Sequence, residues 1–308
     1  MSRIVTLTLN PAMDLSTTAA RVEPTRKLRC SLPHYDPGGG GINVARVVAT
    51  LGGDALAVYP GGGPFGDLLE RTLAGLGVPQ RRVPIAGDTR ESFTVDEGAS
   101  GLQYRFVLPG PELSAVEQQA CLDAIAALDP RPSWLVLSGS FPPGVAPMFF
   151  DQVVALAQRI GARLVLDCSG EALRHAGQRG AIHLLKPSLS KLATLAGGKV
   201  EGAAAQEAAL RELIGRGVAE VIVLSLGGEG AVLASREGIE RFPPLDVPVC
   251  SAVGAGDSMV GAMVLALSRG WSLHEAVRYG IAAGSATIMR PGTELCRVED
   301  VQRLYWKG

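Results

Sequence analysis

The stretch SAVGAGDSMVGAM, residues 251–263, inserts three glycines and one acid into an otherwise apolar run with helical spacing. We predict a helix that begins near Ala255, with Asp257 in its first turn. The first amides of a helix have no intrahelical partner and carry a partial positive charge, which suits an anion. An aspartate there can simply complement that charge, but this role does not require small residues before it. We therefore predict an anion site formed by Gly254, Ala255 and Gly256, with Asp257 as a proton acceptor.

The segments upstream of this stretch alternate between short strands and helices. Apolar runs predict buried strands at 4–9, 55–60, 134–139, 162–168, 183–187 and 220–227. Helical spacing predicts helices at 42–52, 65–77, 114–127, 147–159, 188–196 and 203–216, and across most of 255–306. From residue 134 onward the alternation indicates right-handed βαβ units, so we predict an α/β fold with a mostly parallel central sheet.

Two stretches interrupt this alternation and predict an inserted β lid. Residues from about 15 to 36 and from 90 to 108 have the pattern of alternating or hairpin strands, and EGASG, residues 97–101, is typical of a turn. Such a patch inserted in an α/β protein indicates a lid or an oligomer contact. The length of 308 residues permits one large domain or two small ones.

Two further glycine clusters mark candidate sites, because α/β sheets bind ligands beyond the carboxyl ends of their strands. PGGGGINVAR, residues 37–46, precedes a helix and favours a polyol or phosphate site into which Asn43 reaches. The alternative there is a turn with a helix cap. SLGGEGA, residues 225–231, follows a strand and is equally consistent with a nucleotide loop and a plain hairpin turn.

Composition excludes several classes of function. The net charge is −1, with 29 basic and 30 acidic residues and 5% aromatics, which argues against nucleic-acid binding. No run approaches the roughly 20 apolar residues of a membrane span. The five cysteines are far apart and form no CxxC, so we expect reduced thiols in the cytoplasm. There is no P-loop, no G-x-G-x-x-G after the first strand, and no histidine pair with metal-ligand spacing.

Several fragments, in this order along nearly the whole chain, resemble one family. The two long glycine motifs resemble the signatures of ribokinase-like carbohydrate kinases. Together with the other fragments they are similar to the phosphofructokinase-B branch, and within it to the minor 6-phosphofructokinases of bacteria. The fragments are TLTLNPAMD, KLRC, GGGGINVAR, TRESF, QYRFVLPG, SGSFPPG, SLGGEGA and VGAGDSMVGA.

The resemblance implies a three-layer ribokinase-like fold and a single kinase domain over 1–308. Because exposed strand edges favour pairing, we expect the lid strands to form the contact of a homodimer. The resemblance also implies ATP-dependent phosphorylation of the 1-hydroxyl of fructose 6-phosphate, with Mg²⁺ accompanying ATP. Asp257 would then be the general base, and Gly254 to Gly256 the anion hole. The sugar phosphate would meet Asp14, Gly39, Gly40, Asn43, Arg90, Ser140, Lys27 and Arg105. The nucleotide would meet Lys186, Ser188, Ser225, Leu226, Gly227, Gly228, Glu229 and Gly230.

The basic residues of the lid suit a phosphorylated substrate, because its phosphate needs a cation remote from the reacting hydroxyl. Arg90 and Arg105 flank the second inserted stretch, and Lys27 lies in the first. Arginine is the better candidate for a bidentate phosphate contact. The alternative is that these are solvated strand-edge charges that discourage aggregation.

One motif departs from the family pattern. The family usually carries Asn-x-x-Glu after its fifth strand, linked to magnesium and phosphate, whereas KPSLSKL places Ser188 and Lys191 at those positions. Magnesium could then be held by the ATP phosphates and water with less help from the protein. Alternatively, Lys191 contacts the phosphates itself, or activity and its control by free magnesium are altered.

Four alternatives and additions stay open at this point. Tagatose-6-phosphate kinase and 1-phosphofructokinase differ only in sugar stereochemistry or phosphate position. A non-catalytic sugar-phosphate sensor would be supported by the altered 188–191 motif, although Asp257 is present. The resemblance also suggests a monovalent-cation site, for K⁺, near Ser251 and Val253 with the loop around RPGTELC.

Overall fold

The computed structural model describes residues 3–307. Residues 1, 2 and 308, which belong to the expected 1–308 domain, lie outside this range. The strands are β1 Ile4–Leu7, β2 Ala12–Ala19, β3 His34–Gly38, β4 Ala55–Gly61, β5 Gln80–Pro84, β6 Arg90–Glu97, β7 Gln103–Val107, β8 Trp134–Gly139, β9 Arg163–Cys168, β10 Ile182–Leu185, β11 Ala219–Ser225, β12 Ala231–Ser235 and β13 Gly238–Phe242.

The helices surround these strands. They are α1 Gly40–Thr50, α2 Gly63–Gly75, α3 Ala115–Ala126, α4 Phe149–Ile160, α5 Gly170–Arg179, α6 Leu189–Ala196, α7 Gly202–Gly215, α8 Ala255–Ser268, α9 Leu273–Ile288 and α10 Val298–Lys307. Short signals set their starts, as in α9, where Ser272 and Glu275 form a capping box. In the described residues 3–307, we find no helix with the length and apolar character needed to cross a membrane.

The larger sheet has the strand order β13-β12-β11-β10-β9-β8-β1-β4-β5. Its neighbours pair in parallel from β5 to β11, and only the β11–β12 and β12–β13 pairs are antiparallel. The chain leaves β1 toward β4 and β5 and later returns through β8 on its other side. The strand order therefore reverses beside β1, which is where open α/β sheets bind ligands.

The core lies on both faces of this sheet, so the molecule has three layers. Side chains alternate along each strand: in β8, Leu135 and Leu137 pack into one buried cluster, and Trp134 and Val136 pack into the other. The first cluster includes residues of α3 to α7, and the second includes residues of α1, α2, α8, α9 and α10. The predicted mostly parallel α/β sheet is confirmed.

A second sheet forms the insert that the sequence predicts as a lid. It has four strands in the order β3-β2-β6-β7. Strands β2 and β6 pair in parallel, with Ala12 opposite Arg90, and the two outer pairs are antiparallel. Strand β2 begins at Ala12, earlier than the predicted start near residue 15. Most of the chain between β2 and β3 forms no strand.

Several elements of the main body escape the sequence prediction. Helix α5 buries only Ala172, Leu173, Ala176 and Gly177, so its apolar stripe is short and lies in a mostly polar segment. Strand β5 lies at the sheet edge and buries only Val83. Strands β11 and β12 form the hairpin that the sequence left as an alternative at 225–231, and β13 adds a second hairpin that was not predicted. The predicted starts of α1 and α8 lie within two residues of those observed.

Candidate active site

Asp257 lies in the first turn of α8, as predicted. The residue before the helix, Gly254, has φ 76°, a left-handed conformation that favours glycine. A Cβ atom there would also lie 2.6 Å from Leu295 Cδ2. Glycine therefore allows the chain to turn tightly into α8, so that the first amides of the helix stay unobstructed next to the Asp257 carboxylate.

The carboxylate of Asp257 is held by a residue from the other glycine cluster. Asn43 Nδ2 on α1 donates to Asp257 Oδ2 at 2.9 Å. Burial and the nearby Asp167 carboxylate raise the pKa of Asp257 to about 6, while the Asn43 hydrogen bond and two lysines oppose that rise. A carboxyl group with a pKa close to the working pH is well suited to accept a proton.

Two lysines meet on one buried carboxylate beside this site. Lys186 Nζ lies 2.9 Å from Asp167 Oδ2, and Lys191 Nζ contacts the other oxygen of Asp167. Burial alone would raise the pKa of Asp167, but the two ammonium groups outweigh it and hold the pKa below its usual range. A Cβ atom on Gly256 would lie 2.9 Å from Lys186 Nζ. The Lys186 ammonium therefore borders the start of α8 directly.

A cavity of about 610 Å³ lies on one side of the start of α8. Its walls include Ala255 and Gly256, the loop after β11, the segment 244–249 and one face of α9. Of the predicted nucleotide residues, the cavity is lined by Ser225, Gly227, Gly228 and Gly230. Apolar side chains such as Val247 and Ile281 line it farther from the helix start. This arrangement suits a flat apolar ring with an anionic tail.

A smaller cavity lies between the lid and the main body. It is lined by Asp14, Ser92, Phe93, Thr94, Arg105, Phe106, Val107, Val253 and Thr293. Burial raises the pKa of Asp14 to about 6, although Arg90 and Arg105 pull it down. Gly38 leaves room for this acid, because a Cβ atom there would lie 2.2 Å from Asp14 Oδ2. The cavity therefore combines the half-buried acid Asp14 with one arginine, Arg105, a set that suits a hydroxylated anion.

Arg90, Gly39 and Gly40 do not line the smaller cavity. Arg90 Nη1 donates to Leu108 O at 2.9 Å and Nη2 donates to Asn10 O at 3.2 Å, which fixes the guanidinium at the base of the lid. A Cβ atom on Gly40 would lie 2.4 Å from Ser138 Oγ, so this glycine allows α1 to start against the end of β8. Gly39, the residue before α1, has φ 111°.

The other predicted site residues do not line the cavity that was expected for them. Ser140 Oγ accepts a hydrogen bond from Asn10 Nδ2 at 3.0 Å and stands at the end of β8. Lys27 is exposed in the segment between β2 and β3 and does not line the smaller cavity. Leu226 and Glu229 do not line the larger one. The Ser188 side chain caps α6 by accepting a hydrogen bond from the Lys191 backbone.

Sequence reasoning missed several residues of this site. Asp167 follows the apolar residues of β9. An acid in that place is typical of the end of a strand, so it gave no sign of a functional role. Asp36 on the lid strand β3 and Arg46 on α1 form an ion pair with side chains 10% and 11% exposed. On α9, Gly280 and Gly284 recur at helical spacing, a signal that could have revealed the close packing of α9 on α8.

The loop expected to hold a monovalent cation joins two segments. Ser251 Oγ donates to Gly292 O at 2.7 Å, and the Val253 amide donates to Ser251 Oγ at 3.3 Å. The Cys250 amide donates to Ile288 O at 2.7 Å. Hydroxyl and carbonyl oxygens therefore gather beside the start of α8, and these are the oxygen donors that a hard cation takes.

Comparison with known proteins identifies relatives that are all described as sugar or sugar-phosphate kinases. Residues 4–300 match the family described as pfkB family carbohydrate kinase. An ATP-dependent 6-phosphofructokinase isozyme 2 of Mycobacterium tuberculosis is 48% identical, covering 98% of this chain and 89% of its own. The protein of the same description from Escherichia coli K12 is 43% identical, covering 99% and 98%. A 1-phosphofructokinase of Haloferax volcanii is 33% identical, covering 97% and 95%.

Solved structures agree with these relatives. Escherichia coli phosphofructokinase-2 in complex with potassium superposes with a TM-score of 0.95 at 42% identity, covering 100% of this chain and 99% of its own. Its complex with fructose-6-phosphate gives 0.94 with the same identity and coverage. A ribokinase of Thermotoga maritima, 20% identical, gives 0.79 with 100% coverage of both chains. The predicted ribokinase-like fold is confirmed, and the chain belongs to the pfkB family of carbohydrate kinases.

Proposed function

We propose that this protein transfers the γ-phosphoryl group of ATP to the 1-hydroxyl of fructose 6-phosphate, giving fructose 1,6-bisphosphate and ADP. One observation carries the proposal: neighbouring residues at the start of α8 line two different cavities. Ala252, Ala255 and Gly256 line the larger cavity, and Val253 lines the smaller one. The smaller cavity has a volume of about 20 Å³ in this structure, so a phosphorylated sugar can enter only if the lid moves outward. Bound there, it would meet a triphosphate in the larger cavity at the helix amides beside Asp257. Relatives at 48% and 43% identity carry the name 6-phosphofructokinase.

In this mechanism Asp257 is the general base. Its carboxylate takes the proton from the 1-hydroxyl while the hydroxyl oxygen forms a bond to the γ-phosphorus and the bond to the β–γ bridging oxygen breaks. ADP leaves with that oxygen. The amides at the start of α8 and the Lys186 ammonium stabilise the negative charge spread over the transferring group. In the larger cavity, Ser225 and the glycines 227, 228 and 230 line the triphosphate.

Arg90 and Arg105 are the residues that we propose to bind the sugar phosphate, with Asp14, Asn43, Gly39, Gly40 and Ser140 around the sugar. We expect Arg90→Ala to raise the KM for fructose 6-phosphate while kcat stays close to wild type, because the remote phosphate contributes similar binding in the ground and transition states. Steady-state kinetics at saturating ATP measure this. An unchanged KM would place the phosphate elsewhere.

The proposed base predicts how activity depends on pH. A general base must be ionised, and the pKa of Asp257 is about 6, above the usual range because of burial. Asp14, also raised to about 6, titrates in the same window. We therefore expect kcat/KM to fall as the pH drops through about 6 and to be level above it. An acid limb near pH 4, the ordinary range of an aspartate, would contradict this.

The described residues are better suited to a magnesium ion that binds through the ATP phosphates than to one held only by protein ligands. Within residues 3–307 no group of three or more His, Cys, Asp or Glu could hold a metal ion. Both oxygens of Asp167 are occupied by Lys186 and Lys191. Mg²⁺ is commonly bound through substrate phosphates and water. We propose that it neutralises phosphate charge in that form, and that K⁺ binds near Ser251 and Val253.

The assay that tests the proposal measures ADP release by a coupled enzyme with three substrates: fructose 6-phosphate, tagatose 6-phosphate and fructose 1-phosphate. We expect the highest kcat/KM with fructose 6-phosphate. A preference for either of the others would favour tagatose-6-phosphate kinase or 1-phosphofructokinase, respectively. Binding of a sugar phosphate without ADP release would favour a sensor that has lost catalysis.

We propose that the chain is one kinase domain and that the four-stranded sheet is both its lid and its dimer contact. Apolar side chains are exposed on this sheet, including Phe106, 45% exposed, and Val107, 64% exposed. Exposed strand edges and apolar patches favour association. Sedimentation at micromolar concentration is expected to give a dimer that Val107→Asp weakens. A monomer, or a tetramer without ligand, would contradict the proposed dimer.

All five cysteines are free thiols, of which Cys121, Cys168 and Cys296 are buried. This favours a reducing compartment, and we propose the cytoplasm as the place of action.

A further inference from the structure

A chain of hydrogen bonds connects the lid to the proposed base. Thr293 Oγ1 donates to Asp36 Oδ2 at 2.6 Å, and Arg46 Nη2 donates to Asp36 Oδ1 at 3.2 Å. Arg46 Nη1 donates to Asn43 Oδ1 at 3.3 Å. Asn43 in turn donates to Asp257 Oδ2 at 2.9 Å. Five side chains thus connect the loop after α9, strand β3 and helix α1 with the first turn of α8.

Arg46 is the central member of this chain, and little of its side chain is exposed. Its side chain is 11% exposed, and that of Asp36 is 10% exposed. Arg46 Nη1 also donates to Pro37 O at 2.7 Å. A buried ion pair is weak evidence for stability, because the cost of removing both charges from water can exceed their attraction. A role in orienting other groups accounts better for this arginine.

Arg46 determines which way the Asn43 amide faces. A guanidinium can only donate hydrogen bonds, so it must meet the amide oxygen of Asn43. The amide nitrogen then faces the Asp257 carboxylate, which can only accept while it is ionised. If the amide turned over, its oxygen would face a carboxylate oxygen, and the contact would be repulsive.

Arg46 also serves the second acid of the site. Asp14 on β2 stands directly opposite Asp36 on β3 in the antiparallel register. Like charges in that position destabilise a sheet. The nearby Arg46 charge favours ionised Asp14 and opposes the effect of Asp36. The Arg46 guanidinium therefore acts on both acids: on Asp14 of the sugar site through its charge, and on Asp257, the proposed base, through Asn43.

We propose that Arg46 is a positioning residue, which fixes the Asn43 amide so that this amide holds the Asp257 carboxylate ionised and in one orientation. The role for Asp257 rests on the proposed function, but the orienting contact does not. Asp36 and Thr293 keep the guanidinium in place and so tie this orientation to the lid strand β3.

The groups that face Asp257 set the expected direction of the effect. Asp167 on β9 raises its pKa, whereas Lys186 after β10, Lys191 on α6 and the Asn43 amide on α1 lower it. Removing Arg46 frees the Asn43 amide and weakens its donation. We therefore expect the pKa of Asp257 to rise in Arg46→Leu.

The experiment follows the Asp257 carboxyl directly. The ¹³C signal of its side-chain carboxyl, assigned as the one missing from Asp257→Asn, is titrated without any substrate. We expect Arg46→Leu to raise the midpoint by about one pH unit. The control is Arg269→Leu, which removes an arginine bonded to Leu51 O and Gly52 O at the other end of α1. That variant should lose stability and keep the wild-type midpoint.

Turnover gives a second readout, which separates orientation from charge. We expect kcat of Arg46→Leu to fall about 10²-fold, the size of effect that misplacing a reacting group produces. Arg46→Lys keeps the positive charge but lacks the planar guanidinium. We therefore expect it to remove less than half of the midpoint shift seen in Arg46→Leu and to restore less than half of the wild-type kcat. This variant also decides the question if Arg46→Leu does not fold.

Two results would overturn the inference: a wild-type midpoint in Arg46→Leu, or a wild-type midpoint and kcat in Arg46→Lys, which would mean that charge alone suffices. The substrate-free titration keeps this test separate from the proposed function. An enzyme that prefers another sugar phosphate would refute fructose 6-phosphate as substrate and leave the titration result standing.

Discussion

Asp257→Asn is expected to lower kcat by about 10²–10⁴-fold, the usual contribution of a general base, while leaving the affinity for fructose 6-phosphate close to wild type. The asparagine keeps the shape and the contact with Asn43 but cannot take a proton. Single-turnover kinetics measure the loss in the chemical step, and calorimetry measures sugar binding. A variant within about threefold of wild-type kcat would remove Asp257 from the role of base.

The stability of Asp257→Asn should move in the opposite direction to its activity. The pKa of Asp257 is raised from 3.8 to about 6, chiefly by burial, so its ionised form is disfavoured in the folded state. This cost develops as the pH rises from about 4 to about 6 and is complete above that window. We therefore expect Asp257→Asn to melt at a higher temperature than wild type at pH 8.

Glu275→Gln is the matched control, because Glu275 is also an acid in the first turn of a helix. It accepts hydrogen bonds from Ser272 Oγ at 2.6 Å and Ser272 N at 2.9 Å, and so serves as part of a helix cap. We expect this variant to lose a little stability, because part of the helix cap is removed, and to keep its kcat. If Asp257 were only a helix-capping acid, its variant would behave in the same way.

Lys186→Met is expected to lower kcat by about 10²–10³-fold, the effect of removing one donor from a site that stabilises developing charge. The Lys186 ammonium borders Gly256 at the start of α8, where the transferred group would lie. Lys191→Met is the matched comparison, because each lysine contacts one oxygen of Asp167. Either variant leaves Asp167 with one cation, so both should fold.

The ratio of the kcat losses in Lys186→Met and Lys191→Met shows what Lys191 does. This lysine stands where the family usually has the glutamate of Asn-x-x-Glu. We expect a smaller loss of kcat in Lys191→Met than in Lys186→Met, because only Lys186 borders the helix start. Equal losses in kcat would show that Lys191 contacts the phosphates as closely as Lys186 does. Wild-type kcat in Lys186→Met would contradict the proposed role of this lysine.

Local signals account for the parts of the fold and site that the sequence predicted. The helical spacing after Gly256 predicted α8 and placed Asp257 in its first turn, because capping and periodicity depend on neighbouring residues. The long apolar runs predicted β8, β9 and β11 for the same reason. Polar edge strands such as β5 bury too few residues to produce such a pattern.

Contacts between distant segments account for most of what the sequence could not predict. Asn43 and Asp257 are 214 residues apart, and their hydrogen bond exists only because α1 and α8 pack together. The three charged groups at Asp167 come from β9, the end of β10 and α6, and nothing in any one segment indicates the other two. Lys27 matched a family motif and is exposed without lining the smaller cavity, so its contact with the sugar phosphate stays a prediction.

The most direct test of the central claim is a crystal structure with fructose 6-phosphate and a non-hydrolysable ATP analogue bound together. The decisive quantity is the distance from the nearer Asp257 carboxylate oxygen to the oxygen of the 1-hydroxyl. We expect hydrogen-bond contact, about 2.6–3.2 Å, with the γ-phosphoryl mimic over the amides of α8. A closed lid with this carboxylate farther away than a single bridging water can span would contradict the assignment of Asp257 as the base.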